Sequence, residues 1–149
     1  MRRLATELDV QPSALYWHFA SKQQLLAAVA DRILAAVGDP DPHTPLEDAA
    51  HAILDALLAY RDGAEVVMST YALRLGARRG QDALLASLGD ESAADALFEF
   101  ILGHATLLQQ RMHAQSIGAV ESDADDPAAH SAEVFRAGVR AFAHAAARR

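Results

Sequence analysis

Leu4-Ala5-Thr6-Glu7-Leu8-Asp9-Val10-Gln11-Pro12-Ser13-Ala14-Leu15-Tyr16-Trp17-His18-Phe19-Ala20-Ser21-Lys22-Gln23-Gln24 is the stretch that decides how this chain is read. Leu4 and Leu8 lie four apart and share a helix face, and Val10, Leu15 and Phe19 carry the apolar seam past a short turn. That spacing predicts two short helices packed at an angle. In such a unit the second helix enters the DNA major groove when the rest of a domain holds it there. Pro12 suits the first turn of that helix, because its φ is already helical and its missing N–H has no intrahelical partner there. Asp9 sits in the turn, and aspartate tolerates the left-handed conformation better than most residues. Ser21 and Gln24 form an S-x-x-Q capping box that starts the next helix and leaves Lys22 in its first turn. A helix N-terminus with a lysine is a natural phosphate clamp.

The string Leu15-Tyr16-Trp17-His18-Phe19, followed by Ser21-Lys22, resembles the DNA-binding motif of the TetR (tetracycline-repressor) family of bacterial transcriptional regulators. The resemblance implies that Gln11, Pro12 and Ser13 face bases, with Tyr16, His18 and Lys22 nearer the phosphates and Arg2 and Trp17 in the same DNA-binding set. Glutamine bonds adenine in bidentate fashion, whereas lysine and tyrosine mostly contact phosphate. Taken singly, Tyr16, Trp17 and Phe19 read as core aromatics; their order is what marks a reading helix. Asp9 stands where the family usually has glycine. In that family one further helix precedes the motif and completes a three-helix head. The sequence starts after it, so Leu4, Leu8 and Val10 are expected to lack a packing surface.

Composition agrees with an all-α chain. Of 149 residues, 52% are hydrophobic, enough for one substantial core or for a small head on a larger body, and alanine abounds where β-branched residues are sparse. The chain has no cysteine, which excludes disulfides and thiolate chemistry, and no apolar run approaches the roughly 18 residues that span a bilayer. No secretory signal is visible, so a cytoplasmic protein without membrane attachment is expected. The net charge of −7 is uneven: residues 1–37 carry +1 and residues 38–149 carry −8. A mildly cationic head on an acidic body suits a modular DNA-binding protein, although +1 is a small electrostatic footprint.

Gly38-Asp39-Pro40-Asp41-Pro42-His43 marks a boundary, dividing a helix-turn-helix region with its connecting helix (1–37) from an effector-binding and dimerisation domain (44–149). Thr44-Pro45-Leu46-Glu47 predicts a helix capped by Thr44, with Pro45 at its first position and Gly63 closing it. Further helices are predicted from about Ala64 to Leu75, Gln81 to Leu88, Ser92 to Ile117 and Ser131 to Ala147, with a loop from Glu121 to His130. The long fourth helix carries a broad stripe of Leu97, Phe98, Ile101, Leu102, Ala105, Leu108 and Met112. Gly103 and Gly138 each cost about 1 kcal/mol relative to alanine inside a helix, so close helix approach is expected at both. The last two long helices are therefore expected to pair with their symmetry mates in a four-helix-bundle homodimer, through Phe98, Ile101, Gly103, Leu108, Phe135, Gly138 and Phe142.

Tyr60-Arg61-Asp62-Gly63-Ala64-Glu65-Val66 and Leu102-Gly103-His104-Ala105-Thr106-Leu107 resemble the C-terminal domain of the same family. That resemblance implies an effector inside the body and places Arg61 and Asp62 at the head–body contact. Where the tetracycline-binding members carry a metal-ligating histidine this chain has Val67, which cannot coordinate magnesium. A magnesium–tetracycline complex is thus disfavoured, and the expected partner is another small molecule. Its candidate polar contacts are Tyr60, Thr70, Tyr71, Arg74 and His104, against the alternative that His104 is a buried histidine with a structural partner.

No H-E-x-x-H, G-x-S-x-G or phosphate-cradling glycine loop occurs, so catalysis and a cofactor are not expected. His51 and Asp55 read as a solvated helix-face pair. Two functions compete on these residues: a ligand-responsive homodimeric repressor of a palindromic operator, and a ligand-sensing dimeric module that does not bind DNA in this form.

Overall fold

The computed structural model describes residues 1–76, 78–118 and 127–148. Among these residues all regular structure is helical. Three helices come first: α1 (Arg2–Glu7), α2 (Pro12–His18) and α3 (Lys22–Leu34), the last ending in a 3-10 turn at Ala35–Val37. Then follow α4 (Leu46–Leu58), α5 (Gly63–Ala72), α6 (Arg79–Leu88), α7 (Glu91–Ser116) and α8 (Pro127–Ala146).

The long α7 is the spine, with α4, α5, α6 and α8 all packed against it. Its stripe is buried from Ala94 through Leu97, Phe98, Ile101 and Leu102 to Ala105, then emerges: Met112 is exposed. Ile53 and Leu57 of α4, Leu84 of α6, and Phe135 and Val139 of α8 are the other large side chains that are fully buried. Each such side chain contributes about 1.5–3 kcal/mol of burial free energy. Ala30, Ile33 and Leu34 of α3 join this same core, so α3 crosses from the N-terminal helices into the body despite the boundary in sequence at Gly38. Arg79 secures that boundary by donating to the Gly38 carbonyl and to Asp39 Oδ1 at 2.9 Å.

Several helix ends differ from expectation. Thr44 caps nothing: α4 starts at Leu46 with Pro45 as N-cap in extended backbone, so the threonine hydroxyl lies one residue too early. The Thr44 carbonyl instead accepts from Ser87 Oγ at 3.0 Å. Gly63 opens α5 rather than closing α4, and the left-handed residue of that joint is Asp62 at φ 61°. A Cβ at Gly63 would run into the Leu57 carbonyl, so glycine is required by the close approach of the two backbones. The predicted Glu121–His130 loop lies partly outside the described residues, and its last four residues, from Pro127, are already helical. Proline at a first helical position accounts for the earlier start. His51 does not pair with Asp55; its ring meets Phe135 edge-on, with centroids 5.1 Å apart.

Candidate functional site

α2 is short and almost wholly exterior. Leu15 and Phe19 are its inward, half-buried residues, and Pro12 occupies the first position as predicted. Gln11, Ser13, Tyr16, Trp17 and His18 are exposed, Trp17 to 87%. No core role fits an indole so open to solvent. The turn before α2 holds Asp9 at φ 52°, in the left-handed region. The capping arrangement at α3 is reciprocal, with Gln24 N donating to Ser21 Oγ at 3.1 Å and Ala20 N to Gln24 Oε1 at 3.0 Å. Lys22 stands exposed beside it, and Arg2 is exposed at the start of α1. Leu4, Leu8 and Val10 are also exposed, at 38%, 56% and 41%.

A cavity of about 600 Å³ lies between α3, α5, the N-terminal end of α6 and the first half of α7. Of the predicted ligand contacts it brings together Thr70, Tyr71 and Arg74. Tyr71 donates its hydroxyl to Glu99 Oε1 at 3.0 Å and meets Phe98 edge-on at 5.5 Å between centroids. Burial first, then the hydrogen bond and negative charge of Glu99 and the charge of Asp95, push the Tyr71 phenol pKa above its usual value. Arg78 spans Glu91 at 3.0 Å and Asp95 at 3.3 Å. Sequence reasoning missed Asp31, Arg78, Gln81, Asp95 and Glu99 in this wall. Their only signal was polar residues on otherwise core-facing stretches of α3, α6 and α7.

The two other predicted contacts are elsewhere. Tyr60 is 53% exposed in the turn after α4. His104 faces α8: its Nε2 lies 3.1 Å from Ser131 Oγ, and its ring packs on Phe135 at 5.1 Å. Burial, with a smaller contribution from Arg111, lowers the His104 pKa and keeps the ring neutral. Its partner is a serine hydroxyl of the same chain, where the sequence suggested a carbonyl or a second subunit. Arg61 lines an apolar groove of about 380 Å³ beside Phe19, Leu25 and Val29, between the N-terminal helices and the start of α5.

The expected dimer residues divide. Phe98, Ile101 and Phe135 are 0–1% exposed within one chain and belong to its own core, so they cannot form a contact between chains. Gly138 is a close approach inside the chain, because a Cβ there would collide with the Phe100 ring. At Gly103 a Cβ would meet nothing within 4 Å among the described residues, so the tight crossing expected there is not made by them. Leu108 and Phe142 are half-buried, and Leu107, Met112 and Val134 are exposed on the same two helices.

The fold and these surfaces define a helix-turn-helix protein with a helical, cavity-bearing body. The family model for bacterial regulatory proteins of the tetR family matches residues 1–29. The tetracycline repressor protein class A from transposon 1721 of Escherichia coli is 43% identical over 76 residues, covering 46% of this chain and 35% of that protein. The match thus spans about a third of the length of this curated relative. The crystal structure of Mycobacterium smegmatis BioQ is 32% identical with a TM-score of 0.85, over 99% of this chain and 85% of BioQ. A structure of BioQ with its natural double-stranded DNA operator is 30% identical with a TM-score of 0.77, over 99% of this chain and 85% of that one. The chain belongs to the tetR family of bacterial regulatory proteins.

Proposed function

We propose that this chain is a ligand-responsive transcriptional repressor, acting in the cytoplasm as a homodimer on a palindromic operator. The observation that carries the proposal is the exposure of Gln11, Ser13, Tyr16, Trp17 and His18 on one short helix, with Lys22 at the adjoining helix N-terminus. Gln11 and Ser13 are the base-reading groups, and Tyr16, His18 and Lys22 the phosphate contacts. Similarity to BioQ, whose structure with operator DNA superposes on nearly the whole chain, supports the same orientation of α2.

Response to a ligand follows from α3. Ala30, Asp31 and Leu34 line the cavity, while the same helix begins at Lys22 beside α2. A molecule in the cavity therefore touches the element that positions the reader. Dimerisation uses the outward surfaces of α7 and α8, including Leu107, Met112 and Val134, in place of the core residues. This is a binding protein and not an enzyme.

Selection of duplexes from a random pool, followed by band-shift titration at several salt concentrations, tests the reading. The expected result is a palindromic site whose affinity falls linearly with salt on logarithmic axes, with half-sites about 34–36 Å apart. Gln11→Ala should relax the selected sequence, and light scattering should give twice the mass of one chain. Failure to enrich any sequence overturns the assignment.

A further inference from the structure

Charge and hydrogen-bonding capacity are unevenly distributed around the cavity beside α3. Three carboxylates, Asp31, Asp95 and Glu99, line it together with two guanidinium groups, Arg74 and Arg78. Arg78 is already held between Glu91 and Asp95. Glu99 has only the neutral Tyr71 hydroxyl as its hydrogen-bond partner among the described residues. Arg74 stands exposed at the rim. The surplus at the Tyr71 wall is negative; burial first, then Glu99 and Asp95, raise the Tyr71 pKa there.

A second observation is independent of that charge. Gln81 is 5% exposed and lines the cavity, yet its side-chain amide forms no hydrogen bond among the described residues. No side-chain nitrogen or oxygen among the described residues is both buried from solvent and without a partner, so the Gln81 amide opens onto the cavity, where a ligand could replace water at it. Thr70, 3% exposed, donates to the Val67 carbonyl at 2.9 Å and keeps its acceptor lone pairs. Leu34, Val67 and Phe98 supply the apolar surface between these groups.

We infer that the cavity takes a compact aromatic amine, protonated at neutral pH, whose ammonium group binds Glu99 beside the Tyr71 ring and whose far end hydrogen-bonds to the Gln81 amide. The inference rests on the regulator reading for its biological meaning, but concerns the cavity alone. An ammonium at Glu99 gains a charge-assisted hydrogen bond and lies near the π-face of Tyr71. A carboxylate in the same place would be repelled by Glu99 and Asp95 and would displace the Tyr71 hydroxyl from its acceptor.

Calorimetric titration of the protein without DNA, using three molecules that share an indole body, tests this. Tryptamine carries an ammonium, tryptophol a hydroxyl and indole-3-propionate a carboxylate. The expected order is tryptamine tightest by about tenfold, the size of one charge-assisted hydrogen bond. Glu99→Gln should weaken tryptamine by about tenfold and leave tryptophol unchanged, because the exposed carboxylate serves no core packing. Gln81→Leu should weaken tryptamine and tryptophol equally. Tighter binding of indole-3-propionate, an unchanged tryptamine-to-tryptophol ratio in Glu99→Gln, or no binding of any of the three would overturn the inference. Titration of the selected duplex with and without tryptamine separates the two readings. Tryptamine binding that leaves DNA affinity unaltered sustains the ligand class and overturns ligand-responsiveness, whereas loss of DNA binding in every condition overturns only the regulator.

Discussion

Gln109 and Tyr60 are joined across the turn between α4 and α5, Gln109 Nε2 donating to the Tyr60 carbonyl at 2.9 Å. The same nitrogen donates to the Leu57 carbonyl at 3.1 Å, and Oε1 accepts from Ala64 N at 3.2 Å. One amide on α7 therefore satisfies carbonyls at the end of α4 and an N–H in the first turn of α5, groups that helix ends leave without partners. At about 0.5–1.5 kcal/mol net for each bond, Gln109→Ala should lower the unfolding free energy by about 2–3 kcal/mol. Urea denaturation measures it, and a loss below about 0.5 kcal/mol would contradict the arrangement.

The two helical glycines should respond in opposite directions. Gly138→Ala drives a Cβ against Phe100 and should cost about 1–3 kcal/mol through overpacking. Gly103→Ala meets open space and should gain up to about 1 kcal/mol from helix propensity. Thermal melts of the two variants against the parent decide it; equal losses would mean that Phe100 does not cover Gly138.

Trp17 is the single tryptophan of the chain and stands 87% exposed on α2. Its emission should sit at the long-wavelength, water-exposed limit and be quenched freely by iodide. Adding the selected duplex should suppress that quenching. Trp17→Ala should leave stability within about 0.5 kcal/mol, as exposed substitutions do, while weakening DNA binding. Unchanged quenching in a saturated complex would remove Trp17 from the interface.

His104 sets a pH dependence. Its folded pKa lies below the ordinary value of 6.5, because burial, and secondarily Arg111, disfavour the imidazolium. The unfolded chain therefore takes up this proton at higher pH than the folded chain does. The histidine's contribution is fully present above about pH 6.5 and is lost as pH falls through that value toward the lower folded pKa. Melting temperature should drop on acidification from pH 7.5 to 5.5, and His104→Gln should flatten that drop. An identical slope in the variant would assign it to other groups.

The reading helix was legible because its signals are local: Leu15 and Phe19 four apart, Pro12 at a first turn, and Ser21 with Gln24 three apart. α7 was legible because its apolar period persists over many turns. What covers that apolar stripe was not. Stripe width reports burial without naming a partner, so the sequence points Phe98, Ile101 and Phe135 toward a second chain while they pack within the first. The cavity was half legible. Tyr71 and Arg74 are close in sequence, but Asp31, Gln81 and Glu99 meet them only through packing of α3, α6 and α7. Thr44 failed as a cap by one residue, within the precision with which a capping pattern places a helix start.

The thirteen residues of α3 make a rod of about 20 Å at 1.5 Å per residue. Ile33 and Leu34 clamp one end in the core, and Lys22 with α2 rides on the other. Pivoted at Ile33, a tilt of about 5° sweeps the Lys22 end through about 1.5 Å, nearly half of one base-pair rise. On the proposed reading, a ligand that tilted α3 about Ile33 would move its Lys22 end farther than it moved Ala30 and Asp31, which line the cavity beside the pivot. Mechanical advantage of this kind would let a molecule of a dozen or so heavy atoms bring the reader into or out of register without rearranging the core around α7.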